Sequence, residues 1–204
     1  MYADSDGINH QANMLFTIDE SSMSLTDSMY DVSNLTDGYV SHSFNQFIKA
    51  DESGKYIYRV DHSESSNYTM NGSYLSVNGI TLTKYKADGK STAVSVSIPV
   101  KFDMNKRNYT GASIGGFELG GGNCLIAYAK DVSSSCKTRN VYISVTDELF
   151  NGTQNIALTN YGTSSKVTCR TPQLIKINDN LFLVMWEEYN SSTGKTTTKT
   201  MTVD

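Results

Sequence analysis

No window of this 204-residue sequence keeps apolar residues at i, i+3, i+4 and i+7 over three helical turns. The chain therefore has to bury its apolar surface with strands. Short runs rich in Val, Ile, Thr, Tyr and Phe recur along it, separated by clusters of Asp, Asn, Ser and Gly. The pattern predicts strands near Met14–Ile18, Phe44–Ala50, Lys55–Asp61, Tyr74–Val77, Ile80–Tyr85 and Ala93–Ile98. Further strands are predicted near Gly116–Leu119, Cys124–Lys130, Val141–Val145, Asn155–Thr159, Gln173–Ile177, Leu181–Glu187 and Thr196–Val203. Asp51-Glu52-Ser53-Gly54, Gly120-Gly121-Gly122-Asn123 and Asn178-Asp179-Asn180 supply turns, because Asn, Asp and Gly tolerate the left-handed backbone that tight hairpins need.

Three of the predicted hairpins share one grammar. They begin at Ser43, Ser113 and Thr171, run through a strand and a tight polar turn, and continue into a strongly apolar second strand. Each closes on an acid, 18 residues on at Asp61 and Asp131 and 17 residues on at Glu188. More polar strands follow. Buried inner strands and half-solvated outer ones are the pattern of a propeller blade. The fold class is accordingly all-β: a β-propeller-like repeat of antiparallel blades, incomplete or closed by N-terminal strands, with a β-sandwich as second choice. Residues 1–204 are read as a single all-β domain, in which 1–42 form the tail of a preceding or closing blade.

Composition narrows the function classes. A net charge of -4 and three cations in the densest basic cluster, Lys101 to Arg107, disfavour nucleic acid. That cluster is read as a solvated loop. No apolar run approaches the roughly 20 residues of a membrane-spanning helix. Met1-Tyr2-Ala3-Asp4 lacks the basic-then-apolar order of a secretory signal, so a secreted form would have lost its signal or carry it upstream. Six Asn-x-Ser/Thr sequons, at Asn34, Asn67, Asn71, Asn108, Asn151 and Asn190, exceed the chance number of about four for 17 Asn and 47 Ser plus Thr. They are the glycosylation candidates. Of three cysteines, Cys124 and Cys136 are close enough in sequence to close a disulfide in an oxidising compartment, the alternative being buried or free thiols.

The wording is most specific in Gly38-Tyr39-Val40-Ser41-His42-Ser43-Phe44-Asn45-Gln46-Phe47 and Tyr58-Arg59-Val60-Asp61-His62. With Tyr109 to Phe117 and Val184-Met185-Trp186-Glu187-Glu188, this resembles uncharacterised β-propeller-like repeat proteins of bacterial cell surfaces and secretomes. The resemblance implies a fold and a secreted or cell-surface location, and no activity. Sialidase-type Asp boxes and the Trp-Asp repeat signature are absent.

One rim is the place where chemistry could sit. An antiparallel hairpin that places 43 opposite 62 brings His42, Ser43, Asp61 and His62 together, a group suited to a metal or to acid–base work. The leading reading of the group is structural: His42 and His62 cap strand ends and Asp61 fixes a loop. Asp131 and Glu188, at equivalent blade positions, add carboxylates that suit a cation or sugar hydroxyls, or that accept backbone N–H bonds architecturally. Trp186 reads as core in preference to a sugar-stacking platform. No cofactor is predicted. Asp4-Ser5-Asp6-Gly7 is the one faint calcium-loop pattern, without the closing Glu of an EF-hand. The expected function is an extracellular structural, adhesive or binding module without catalytic activity, partnered by copies of itself, a larger parent chain or glycans. The alternative is a glycan-acting hydrolase or a lectin-like propeller using the rim carboxylates.

Overall fold

The structure, a computed structural model, describes residues 2–3, 9–10, 14–15, 18–25, 30–31, 47–64, 74–86, 94–98, 102–105, 112–133, 136 and 138–204. All regular structure among these is β, in antiparallel sheets. The chain divides into two compact units, 1–71 with 75–99 and 72–74 with 100–204, within the span read above as one domain.

The first unit opens with short strands: β1 (Tyr2–Ala3), β2 (Asn9–His10), β3 (Met14–Leu15), β4 (Ile18–Asp19), β5 (Ser24–Leu25) and β6 (Tyr30–Asp31). β1 pairs with β2, β3 with β6 and β4 with β5. A meander follows, β7 (Phe47–Ala50), β8 (Tyr56–Glu64), β9 (Tyr74–Lys86) and β10 (Val94–Ile98), each strand paired with the next. Tyr58, Val60, Ile80 and Leu82 are buried, and so are Arg59 and Thr83 between and beside them, so that both faces of these strands are covered there.

Two expectations change here. The segments predicted at Tyr74–Val77 and Ile80–Tyr85 are one strand, because Asn78-Gly79 forms no turn. The ladder with β8 slips by one residue there, between Ser63–Gly79 and Glu64–Val77, and the bulge absorbs the extra residue. The β7–β8 register also differs. Placing 43 opposite 62 would set Phe47 opposite Tyr58, but Phe47 pairs with Val60. The reason is a wider turn, closed by Asp51 N–H to the Tyr56 carbonyl at 3.0 Å and by Tyr56 N–H to the Asp51 carboxylate at 2.9 Å.

The second unit opens with β11 (Phe102–Asn105); Lys101, Lys106 and Arg107, the cations of the basic cluster read as a solvated loop, lie outside the described residues. Then come two meanders. One is β12 (Ala112–Gly120), β13 (Asn123–Asp131), β14 (Arg139–Asp147) and β15 (Gln154–Ala157); the other is β16 (Val167–Asn178), β17 (Leu181–Asn190) and β18 (Lys195–Val203). They pack face to face. Leu125 and Ala127 of β13 and Val141 and Ile143 of β14 meet Phe182, Val184 and Trp186 of β17 in one buried cluster. Both second strands are continuously apolar in sequence, yet only β13 is buried on both faces. β17 alternates, with Phe182, Val184 and Trp186 buried and Leu183 and Met185 half-buried.

The first strands of the two sheets, β12 and β16, set the packing. Each carries a bulge: at Gly115, between the pairs Ile114–Tyr128 and Gly116–Ala127, and at Thr171–Pro172, between Arg170–Glu187 and Gln173–Met185. The bulges abut. A Cβ on Gly115 would lie 1.6 Å from the Pro172 carbonyl oxygen, and one on Gly116 2.6 Å from the Leu174 backbone nitrogen. Only glycine fits. Thr171, expected to start a strand, lies inside β16 at φ 44°. That left-handed conformation is costly for a β-branched residue. It lets Pro172 sit mid-strand, because the bulged position needs no ladder N–H. The extra residue also shifts alternation, so that Cys169 before it and Leu174 after it both enter the core.

Gly115→Val is expected to lower stability by more than about 3 kcal/mol, since the obstruction is backbone and cannot swing away. Gly162→Ala, with nothing within 4 Å of the added methyl, is expected to be neutral or stabilising by up to about 1 kcal/mol. Urea unfolding of both variants measures the contrast; equal effects would remove the close approach as a constraint.

Candidate functional site

The hairpins of the second unit have two ends. At the open end sit Asp131 and Glu188, the acids singled out by the repeat. Asp131 ends β13 and pairs across the strands with Arg139, whose Nε lies 2.8 Å from its carboxylate. Burial pushes the Asp131 carboxyl above its ordinary range despite that partner. Glu188 is 13% exposed and accepts the Trp186 indole N–H at 3.2 Å, with Lys199 Nζ at 3.9 Å. It also accepts a hydrogen bond from Tyr161; burial and this carboxylate push the Tyr161 hydroxyl up to about 12. Both acids are thus tied to neighbours in their own or the adjoining segment. Trp186 is buried, as expected for core.

His42 and Ser43 lie outside the described residues, as do Asp4 to Gly7 and the sequons at Asn34, Asn67, Asn71 and Asn108. Asp61 and His62 occupy β8 opposite Thr81 and Ile80. Among the described residues no group of three or more His, Cys, Asp and Glu side chains is arranged to hold a metal.

The cysteines correct one expectation. All three are thiols outside any disulfide. Cys124 is buried near the start of β13, whereas Cys136 follows the far end of that strand. From Cys124 to Asp131 the strand rises about 23 Å at roughly 3.3 Å per residue, while bridged cysteines need Cα atoms within about 7 Å.

The other end of the hairpins, where the turns lie, holds a cleft of about 430 Å³. Its floor is apolar: Leu125, Val145, Ile156, Phe182 and Val203. Its rim is amide and carboxylate: Asn123, Asp147, Asn151, Gln154, Asp179, Asn180 and Asp204. Glycine turns allow this geometry. A Cβ on Gly120 would lie 2.9 Å from the Asp179 carbonyl oxygen, and one on Gly121, at φ 57°, 2.9 Å from Asn180 Oδ1. The β12–β13 and β16–β17 turns therefore abut at the cleft edge.

The third wall is the β14–β15 loop. Asp147 organises it: one carboxylate oxygen accepts the Asn151 N–H at 2.7 Å and the Leu149 N–H at 2.9 Å, and the other accepts the Asn151 side-chain amide at 3.3 Å. Glu148 N–H reaches the Gly122 carbonyl at 3.2 Å and stitches the loop to the neighbouring turn. Phe150 takes φ 67°, a strained value for a bulky residue, and the surrounding bonds hold it. Of the two sequons in view, Asn151 is exposed on this loop. Asn190 caps the β17–β18 turn, its side-chain oxygen accepting Ser192 N–H at 2.9 Å and Thr193 N–H at 3.3 Å.

Sequence reasoning placed the chemistry at the open ends, where the acids recur. The cleft is at the turn ends. Its signal was present in the Asn, Asp and Gly residues of the turns, which report backbone conformation first and ligand contact only once two turns and a loop are brought together.

No protein-family profile matches the sequence, and no curated protein matches it. Among solved structures, the chain is similar to a thermostable family-43 glycoside hydrolase, at 12% identity and a TM-score of 0.42 over 92% of this chain and 65% of that one. It is also similar to the catalytic domain of a GH62 alpha-L-arabinofuranosidase of Coprinopsis cinerea, at 11% identity and a TM-score of 0.41 over 83% of this chain and 56% of that one. The chain thus spans less than two thirds of the length of each. No helix among the described residues is long and apolar enough to cross a membrane.

The hydrogen bonds to Asp147, the Asn151 N–H foremost, hold its carboxyl below its ordinary 3.8. Such a group stabilises the loop above that value and loses the contribution as pH falls through the lowered one. The amide resonances of Leu149 and Asn151 are expected to stay constant from neutral pH down to about 4 and to move only below it. Movement centred above 3.8 would contradict the assignment.

Proposed function

We propose that this chain is a non-catalytic, extracellular carbohydrate-binding module whose cleft lies at the turn end of the second unit's hairpins. The observation that carries the reading is the cleft's lining: side-chain amides on the rim over a floor of Leu, Val, Ile and Phe. Sugars present alternating hydroxyls and apolar C–H faces. Amides and carboxylates match the hydroxyls as donors and acceptors, and an aromatic edge with branched aliphatics matches the faces. The volume falls within the range of roughly 300–1,000 Å³ usual for ligand sites.

The same geometry favours binding over hydrolysis. Glycoside cleavage needs one carboxyl kept protonated and a second kept ionised across the scissile bond. Of the three carboxyls that line the cleft, Asp147 is held ionised by its own loop, Asp179 is engaged by Lys176 Nζ at 2.5 Å, and Asp204 is exposed, with no burial to keep it protonated. Secretion or surface display belongs to the same reading, supported by the Ser/Thr/Asn-rich composition.

Calorimetry against a panel of neutral oligosaccharides is expected to show saturable binding. Gln154→Ala, on the rim at the start of β15, is expected to weaken it about five-fold, the value of one hydrogen bond of about 1 kcal/mol. Absence of binding across the panel would overturn the reading, and release of reducing ends in a parallel assay would overturn its non-catalytic part.

A further inference from the structure

We infer that Asn151 is a self-modifying position, whose conversion to aspartate or isoaspartate switches off the cleft it lines. The inference rests on the carbohydrate reading for its consequence but not for its chemistry. Asn151 is followed by Gly152, both are exposed, and nothing lies within 4 Å of where a Gly152 side chain would be. The nucleophile is the Gly152 backbone nitrogen. Among the described residues no acceptor holds its N–H. The carbonyl oxygen of the same peptide, that of Asn151, accepts the Asp147 N–H at 3.2 Å and the Thr146 hydroxyl at 3.0 Å. Two donors on that oxygen draw electrons from the peptide and make the Gly152 N–H more acidic.

The step balances with water alone. The Gly152 nitrogen loses its proton to base and attacks the Asn151 side-chain carbonyl carbon. A carbon–nitrogen bond forms, the bond to the amide nitrogen breaks, and that nitrogen leaves as ammonia after taking up a proton. Water then opens the cyclic imide at either carbonyl, giving aspartate or isoaspartate. No oxidant or reductant takes part.

The consequence follows from position. The Asn151 side-chain amide donates to the Asp147 carboxylate at 3.3 Å. A carboxylate in its place sets two like charges against each other and removes the donor that closes the loop. Isoaspartate in addition inserts a methylene into the backbone of the cleft wall. The chain has two other Asn-Gly pairs, at Asn71 and Asn78. Asn78 serves as an internal reference, because it lies within β9, where Gly79 is paired with Ser63.

The test is incubation of the native chain at pH 8 with peptide mapping by mass spectrometry over time. Conversion is expected at Asn151 well ahead of Asn78, and no mass gain is expected at the substituted position in Asn151→Gln. An Asn151 that remains amide while Asn78 converts, or that stays unchanged until the chain is denatured, would overturn the inference. In parallel, Asn151→Asp is expected to bind oligosaccharide about ten-fold more weakly than the parent while keeping the parent's far-UV spectrum. Undiminished binding by that variant would overturn the switch. If the parent binds no oligosaccharide, the mass data still decide the modification, so the two failures are distinguishable.

Discussion

The second unit is organised by one contact, the backbone-to-backbone approach of β12 and β16 at their bulges. Gly115 and Gly116 lie where any side chain would enter Pro172 or Leu174. Sheets held apart by side chains pack about 10 Å from one another; here the first strands touch through peptide atoms. The contact fixes the angle and register between the two meanders. That register places Phe182, Val184 and Trp186 over Leu125, Ala127, Val141 and Ile143. It also brings the Gly120–Gly121 and Asp179–Asn180 turns into contact, which makes a cleft out of two hairpin ends. The cost is a β-branched residue, Thr171, at φ 44°. A strain of about 1–3 kcal/mol is offset by the core that the parity shift fills, with Cys169 and Leu174 both buried.

The strands were legible because hydrophobic alternation and turn chemistry agree along most of the chain. Leu181–Asn190 and Asn123–Asp131 were read within a few residues, and Gly120–Asn123 and Asn178–Asn180 turn where expected. The misreadings share a cause: bulges look like boundaries. Thr171-Pro172 reads as the start of a strand and Asn78-Gly79 as a break between two, because Pro and Asn-Gly usually punctuate. In both places a pairing strand absorbs the irregularity, information that one segment alone does not contain. The proposed Cys124–Cys136 bridge failed similarly, since closeness in sequence along a strand is distance in space.

The candidate site was less legible than the fold. Recurring acids drew attention to Asp131 and Glu188, yet Arg139 holds one, and Trp186, Tyr161 and Lys199 surround the other. In the second unit both carboxylates bind neighbours at the open end of their hairpins. At the turn end Asn123, Gln154 and Asn180 line a cleft, Asn123 with its side-chain amide also donating to the Gly121 carbonyl at 3.0 Å. Asp179 there pairs with Lys176, and Asp147 organises its loop. By bonding three donors of its loop it rigidifies a wall that the strained Phe150 would otherwise loosen. The wall is consequently sensitive to the charge of Asn151.

The most direct test of a binding cleft at the turn end is a 15N-resolved NMR titration of the intact chain with neutral oligosaccharides. Progressive shifts are predicted for the amides of Gly120–Asn123, Asp147–Gln154 and Asp179–Phe182, with those of Asp131, Arg139 and Glu188 unmoved. Shifts centred on Asp131 and Glu188, or none at any concentration, would contradict it.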